Sequence, residues 1–241
     1  MAALALAMGA HKAASGYEDR QLPRGLSQPI LALELAASDA ELRLIAGCSN
    51  ATESLAQCRD AAMLQWQVYL DFPFVFAYTG FLLACGWVAG ARWPKLRWII
   101  WAGAIAALVA AALDIRENVA ILRALGGSGA AGVRDAGYDK WVWVCGAACL
   151  AALAAFAVVS GRGFWSKLIS VVVAAQILAG TVVVWGASLV GCDLRLEEGA
   201  ARMMSGLAIL AVLMLLLRYG SALKRLVIDK WGARWHRAVW G

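Results

Sequence analysis

The sequence predicts an all-α protein, a polytopic transmembrane helical bundle of about five spans with flanking amphipathic helices. Of the 241 residues, 62% are hydrophobic and 16% are charged, whereas soluble domains are about 45–50% apolar and about 25% charged. The hydrophobic residues are grouped into five runs, and a helix needs about 20 apolar residues to cross a bilayer. The runs lack the alternation of apolar and polar residues that characterises membrane barrels. Soluble, disordered and barrel classes are therefore excluded.

The positions of these runs divide the chain into three segments. Residues 1–62 are predicted to be an extramembrane segment with short amphipathic helices, residues 63–218 the transmembrane bundle, and residues 219–241 a basic, Trp-rich interfacial helix. Residues 123–140 contain five glycines, which predict a flexible connector. The five spans are predicted over residues 66–90, 98–122, 141–160, 168–190 and 203–217.

The N-terminal segment carries the pattern of one or two short helices. Ser27 stands two residues before Pro29, as in an N-cap followed by a proline in the first turn. We expect these helices to lie on the membrane or on the bundle. Their apolar side is marked by Leu31, Leu35, Leu42 and Ile45.

Basic residues predict the orientation, because loops rich in Lys and Arg stay in the cytoplasm. Such residues follow the first, third and fifth runs, while the opposite loops are less basic. The sequence therefore predicts a multi-pass protein of the bacterial inner membrane, with its N-terminus outside and its C-terminus in the cytoplasm. The residues on the cytoplasmic side are Arg92, Lys95, Arg97, Arg162, Lys167, Arg218, Lys224, Arg225, Lys230, Arg234 and Arg237.

The C-terminal residues repeat apolar side chains at helical spacing, with basic residues on the other flanks. Leu223, Val227, Trp231 and Trp235 form the apolar side. This pattern is typical of a helix that rests on anionic lipid headgroups, where each basic residue contributes roughly 1 kcal/mol. We expect the lipid bilayer, and no nucleic acid, to be the partner of this helix.

Cysteines and histidines limit the chemistry. Cys48 and Cys58 fall on the predicted outer side, where an oxidising compartment allows a disulfide. Cys145 and Cys149 lack the C-x-x-C spacing of thiol redox enzymes. Both histidines of the chain lie outside the spans, so they form no intramembrane pair for haem or zinc. The sequence predicts no cofactor and no metal centre.

Acidic residues within the spans are the main functional candidates, because a carboxylate in the bilayer costs a few kcal/mol and must face a protein interior. The polar residues of the first span share one helical face, and so do those of the second. At 1.5 Å per residue, the two acidic levels lie roughly 7 and 12 Å below the outer helix ends, so the two faces can meet. The nearest counter-charges are Lys140 and either Arg116 or Arg123. The polar cluster is defined here as Gln67, Asp71, Tyr78, Asp114, Glu117, Asn118 and Lys140.

Three interpretations of the polar cluster remain open. It could clamp two helices together, bind a proton, a cation such as Mg²⁺ or Ca²⁺ or a small ligand, or form a catalytic carboxylate site. Neighbouring carboxylates in a low dielectric cannot all stay ionised without a proton, a basic side chain or a metal ion. Hydrogen bonds between membrane helices contribute only about 0.6 kcal/mol on average. The number of polar groups therefore exceeds what a clamp needs.

Three short motifs resemble those of an uncharacterised group of small bacterial integral membrane proteins. They are Leu-Asp-Phe-Pro-Phe at 70–74, Leu-Asp-x-x-Glu-Asn at 113–118, and Leu-Glu-Leu-Ala at 33–36. The resemblance covers roughly residues 33–160. It implies a bacterial inner-membrane bundle in which Asp71, Asp114, Glu117 and Asn118 are the marked positions, and it implies no reaction.

These observations predict an integral inner-membrane protein. The leading interpretation is a non-enzymatic structural or accessory component with a carboxylate cluster near the outer leaflet. Its partner would be another membrane protein. The alternative is a protein that binds a cation, a proton or a lipid headgroup. That alternative includes a small lipid-processing enzyme that uses Asp71, Asp114 and Glu117.

Overall fold

The computed structural model describes residues 22–50, 52–159 and 164–215. Helices dominate these ranges, which contain no strand, and the predicted all-α fold class is confirmed. The predicted C-terminal interfacial helix lies outside the described residues. The described helices are α1 (Pro29–Glu34), α2 (Asp39–Ala46), α3 (Ala61–Arg92), α4 (Arg97–Arg123), α5 (Val133–Val159), α6 (Phe164–Val190) and α7 (Asp193–Leu215).

The five long helices, α3 to α7, are each long and apolar enough to cross a membrane. The chain therefore has the five candidate spans of a multi-pass membrane protein. Many large apolar side chains point away from the bundle, as expected for helices whose outer surface meets lipid. Trp66, Trp87, Trp98, Trp101 and Trp185 are all more than half exposed.

Every span begins before its predicted first residue, and two of them begin much earlier. The helix predicted to start at residue 141 starts at Val133, and the one predicted to start at residue 203 starts at Asp193. Their first turns contain charged residues, which the sequence pattern assigns to loops. In the structure Arg134 and Asp193 pair with each other across the two helices, at 3.4 Å, and both stay helical.

The prediction that residues 123–140 form a flexible connector is wrong in its extent, because helices take up most of this range. Its first part is a π-helical turn, Ala124–Ser128, that continues from α4, and its last part belongs to α5. Non-helical backbone is confined to Gly127 and to the turn between these two parts. Gly129 and Gly132 have φ angles of 84° and 80° there, a region of backbone conformation that favours glycine.

Helix α5 is the centre of the bundle and packs against α3, α4 and α6. Between membrane helices small residues permit close approach and extensive van der Waals contact. Gly103 of α4 faces the side chain of Leu150 of α5 so closely that a Cβ atom would lie 2.4 Å from it. Alanines fill the same layer, including Ala147, Ala151 and Ala154, all fully buried.

Residues 22–50 and 52–60, here called the cap, cover one end of the bundle. Leu33, Leu42 and Ile45 of the cap are fully buried, and they share a hydrophobic core with Leu64 of α3 and Ile121 of α4. A disulfide joins Cys48 to Cys58, with a Cα–Cα distance of 4.5 Å. The amphipathic N-terminal helices therefore pack on the bundle rather than projecting from it.

Arg24 anchors the cap through several polar contacts. Its guanidinium binds Asp193 at the start of α7, both carboxylate oxygens of Glu41, at 2.8 and 2.6 Å, and the carbonyl oxygen of Leu35, at 3.0 Å. The φ angle of Arg24 is 59°, in the left-handed region that a non-glycine residue rarely adopts. The ionic contacts on both sides of the guanidinium compensate for this strain.

The ionisation of Glu41 is expected to make the stability of the attached cap depend on pH. Burial alone would raise the pKa of Glu41, but the backbone N–H of Ala37 and the guanidinium of Arg24 outweigh it and lower the pKa. A carboxylate whose pKa is lower in the folded state stabilises the protein above the unfolded-state pKa, and this contribution is lost as the pH falls through the folded-state pKa.

We therefore expect E41Q to lower the free energy of unfolding by about 1 kcal/mol at neutral pH, a value reduced for the partial exposure of the pair. The difference from the wild type should shrink as the pH falls through the folded-state pKa of Glu41. Equilibrium unfolding of both proteins at neutral pH and at roughly pH 3 measures it. An unchanged difference in acid would contradict this assignment.

Candidate functional site

The polar cluster comes together around a single ammonium group, that of Lys140 on α5. Its Nζ atom lies 2.6 Å from Glu117 Oε2 and 3.3 Å from Asp114 Oδ1, both on α4. Lys140 is 4% exposed, Asp114 5% and Glu117 not at all. Because Lys140 stands two turns into α5 and not in a loop, its charge is held inside the bundle.

Two hydrogen bonds connect α3 to α4 next to the residues that contact Lys140. The Tyr78 hydroxyl donates to Asp114 Oδ2 at 2.8 Å, and the Asn118 side-chain amide donates to Asp71 Oδ2 at 2.7 Å. The polar faces of α3 and α4 are therefore in direct contact. Gln67, one turn before Asp71 on α3, is buried on the same side.

Sequence reasoning did not include Glu34 among the site residues. Glu34 is the last residue of α1 in the cap, and its Oε2 atom lies 2.9 Å from Lys140 Nζ. Burial raises the pKa of Glu34, and the attraction of Lys140 offsets this only in part. The one available signal was its place in the Leu-Glu-Leu-Ala motif. The search for acidic residues inside the spans could not identify Glu34, because α1 does not cross the membrane.

Gly137 permits α1 to approach the site. A Cβ atom at this position of α5 would lie 2.9 Å from Glu117 Oε1 and 3.0 Å from the carbonyl oxygen of Glu34. Any larger residue would push the cap away from α5 or displace the Glu117 carboxylate. The glycine thus places Glu34 and Glu117 beside the same lysine.

The site contains more acids than bases. The site holds the carboxylates of Glu34, Asp71, Asp114 and Glu117 and one lysine, which contacts all of them except Asp71. No arginine in the described ranges lies within 4.0 Å of these carboxylates. The predicted alternative counter-charges, Arg116 and Arg123, are exposed and do not reach the cluster. Ionised carboxylates in excess are costly in a low dielectric, so protons or a bound cation must balance them.

Within the part of the chain that the structure describes, no group of three or more His, Cys, Asp or Glu side chains is placed to hold a metal ion. The Lys140 ammonium occupies the space between Glu34, Asp114 and Glu117 that a cation would otherwise take.

A cavity of about 650 Å³ extends from the polar cluster along the bundle. Its volume is within the range of small-molecule sites, about 300–1,000 Å³. On α3 the lining runs from Gln67 to Leu82, which corresponds to roughly 22 Å at 1.5 Å per residue. The cavity is therefore long enough for an extended chain of atoms as well as a compact group.

The two ends of this cavity differ in polarity. Toward the cap it is lined by Glu34, Gln67, Asp71, Asp114 and Lys140. Away from the cap it is lined by Phe74, Leu82, Val144, Ala148, Met204 and Leu207.

Two acceptor groups of α3 face this cavity without a full set of partners. Gln67 is 3% exposed, and its Oε1 atom has no hydrogen-bond partner among the described residues. Asp71 binds Asn118 through Oδ2 only, and no cation in the described ranges lies within 4.0 Å of its carboxylate. Glu34 and Asp114 also line the cavity and contact Lys140, whereas Glu197 and Glu198 line it with other partners.

No family model, curated protein or solved structure matches the chain. The candidate site therefore rests on its own geometry: a buried lysine among four carboxylates, at the polar end of a long cavity.

Proposed function

We propose that this protein binds an amphiphile inside the membrane, with the polar end of the ligand at the polar cluster and its apolar chain along α3 and α7. The observation that carries the proposal is the cavity of about 650 Å³ that is charged at one end and apolar at the other. A membrane lipid, or a lipid-like molecule with a single chain, has this distribution of polarity.

The cavity favours ligand binding over a purely structural role. A clamp between helices is best served by close packing, because a void deprives the atoms around it of van der Waals contact. Here Gln67 and Asp71 line a void, although Asp71 also accepts a hydrogen bond from Asn118 of α4. Polar groups that line a cavity of ligand size are the usual arrangement of a binding site.

We further propose that the protein belongs to the bacterial inner membrane, with the cap outside. Arg92, Lys95 and Arg97 stand at the end of the bundle opposite the cap, in agreement with the positive-inside rule. The disulfide in the cap is compatible with an oxidising compartment. The resemblance of the three motifs to small bacterial membrane proteins supports the same placement, and the basic residues after 218 would bind anionic headgroups of the inner leaflet.

Filling the apolar part of the cavity tests the proposal. Met204 of α7 lines the cavity, so M204W should occupy the space of the ligand chain. Val212, on the same helix, is 52% exposed, so V212W adds the same side chain outside the cavity. We expect native mass spectrometry to detect a retained lipid-like molecule on the wild type and on V212W, and at least about tenfold lower occupancy on M204W, since each 1.4 kcal/mol of lost affinity is tenfold.

Equal occupancy in the two variants would contradict the proposal. A folded wild type that retains no amphiphile, and acquires none when lipid is added, would contradict it as well.

A further inference from the structure

The polar end of the cavity offers hydrogen-bond acceptors and negative charge in excess of donors. Lys140 Nζ already has three carboxylate partners, Glu34, Asp114 and Glu117, and is committed to them. Asp71 lines the cavity with no cation of the described chain beside it. A ligand that approaches Asp71 therefore meets a carboxylate that no basic side chain of the described residues contacts.

Gln67 provides an independent indication of the same kind. Its side chain is almost completely buried, it lines the cavity, and its Oε1 atom accepts no hydrogen bond within the described residues. A buried acceptor without a partner costs about 1–3 kcal/mol, so such an atom indicates a missing donor. Gln67 and Asp71 are one helical turn apart on α3, which brings both acceptors to the same side of the cavity.

We infer that the polar end of the ligand is a cationic amine, held between the Asp71 carboxylate and the Gln67 side-chain oxygen. This inference rests on the proposed function and specifies the class of amphiphile. A primary ammonium group carries three N–H donors and one positive charge, so it can bind both acceptors and balance Asp71.

Other headgroups fit the two acceptors less well. A hydroxyl has one donor and no charge, so it serves one acceptor and leaves Asp71 unbalanced. A quaternary ammonium has the charge but no N–H group. A carboxylate or phosphate would be repelled by the excess of acids around Lys140.

Single-chain probes that differ only in their headgroup test this inference on the full-length protein in a non-ionic detergent. Dodecylamine, dodecanol, dodecyltrimethylammonium and dodecanoate share the same apolar chain, so differences in their affinity report the headgroup. We expect isothermal titration calorimetry to give at least about tenfold tighter binding for dodecylamine than for dodecanol, or about 1.4 kcal/mol. Dodecyltrimethylammonium should bind more weakly than the amine, and dodecanoate most weakly.

Two variants locate the preference. D71N should reduce the affinity for dodecylamine to about that for dodecanol while leaving dodecanol binding unchanged. D139N removes the same charge from an exposed position of α5 and should leave both affinities unchanged. Because the comparison among the four probes on the wild type needs no variant, the test stands even if D71N does not fold.

The possible failures are distinguishable. If dodecanol or dodecyltrimethylammonium binds as tightly as the amine, the amine inference is wrong and the proposed function stands. If none of the probes binds and no lipid is retained by the protein, the proposed function itself is wrong.

Discussion

Replacement of Lys140 by methionine is expected to lower the free energy of unfolding by about 3–5 kcal/mol, the usual cost of leaving a buried charge without its partner. The ammonium lies within 4.0 Å of the carboxylates of Glu34, Asp114 and Glu117. Methionine matches the length and apolar stem of lysine, so packing is largely preserved and the change isolates the loss of charge. Unfolding of the purified protein in mixed micelles, followed by circular dichroism, measures the effect.

A second substitution and a surface control make this result specific. K140M combined with E117Q should recover part of the lost stability, because one of the uncompensated carboxylates is then neutral. R195M removes a basic residue from an exposed ion pair with Glu198, and its effect should be close to zero. If K140M is as stable as R195M, the lysine is not the electrostatic centre of the site.

The second large effect is expected at Gly180, where α6 and α7 approach each other closely. A Cβ atom on Gly180 would lie 2.5 Å from the backbone nitrogen of Met203 and 2.8 Å from the carbonyl oxygen of Gly199. Backbone atoms cannot move aside as a flexible side chain can. G180A must therefore separate the two helices, at a cost of about 1–3 kcal/mol, typical of overpacking.

Gly186 provides the matched control on the same helix. A Cβ atom there meets no other atom within 4 Å, so G186A should be neutral or should stabilise the helix by up to about 1 kcal/mol. Thermal unfolding of both variants in the same detergent makes the comparison. An equal loss in both would mean that helix propensity, and not the contact between α6 and α7, determines the effect.

The spans and the polar faces could be predicted because they depend on local sequence alone. Apolar length identifies a membrane helix, and helical spacing brings Gln67, Asp71 and Tyr78 to one side of α3. The antiparallel arrangement of neighbouring spans then places Asp114 and Asn118 at depths that match those of the α3 residues. In the structure Asp114 contacts Tyr78, and Asn118 contacts Asp71. Each of these steps uses only the rise and period of a helix.

The rest of the site depends on tertiary contacts that no local pattern contains. Glu34 reaches Lys140 because α1 folds back onto the bundle, and this position is decided by the cap core and by the close approach at Gly137. The early start of α7 has a similar origin. Asp193 stays helical because Arg24 and Tyr138, distant in the sequence, bind its carboxylate.

The position of Lys140 in the chain order has a consequence for biosynthesis. Helices α3 and α4, with Asp71, Asp114 and Glu117, leave the ribosome before Lys140 of α5 does, since chains are made from the N-terminus. An ionised acid at the centre of an isolated membrane helix costs about 2.5–3.5 kcal/mol on insertion scales, an upper bound for acids that lie nearer the outer leaflet. Insertion of the first helical hairpin is therefore favoured by protonation of these acids, or by the arrival of the third span with the lysine that neutralises them.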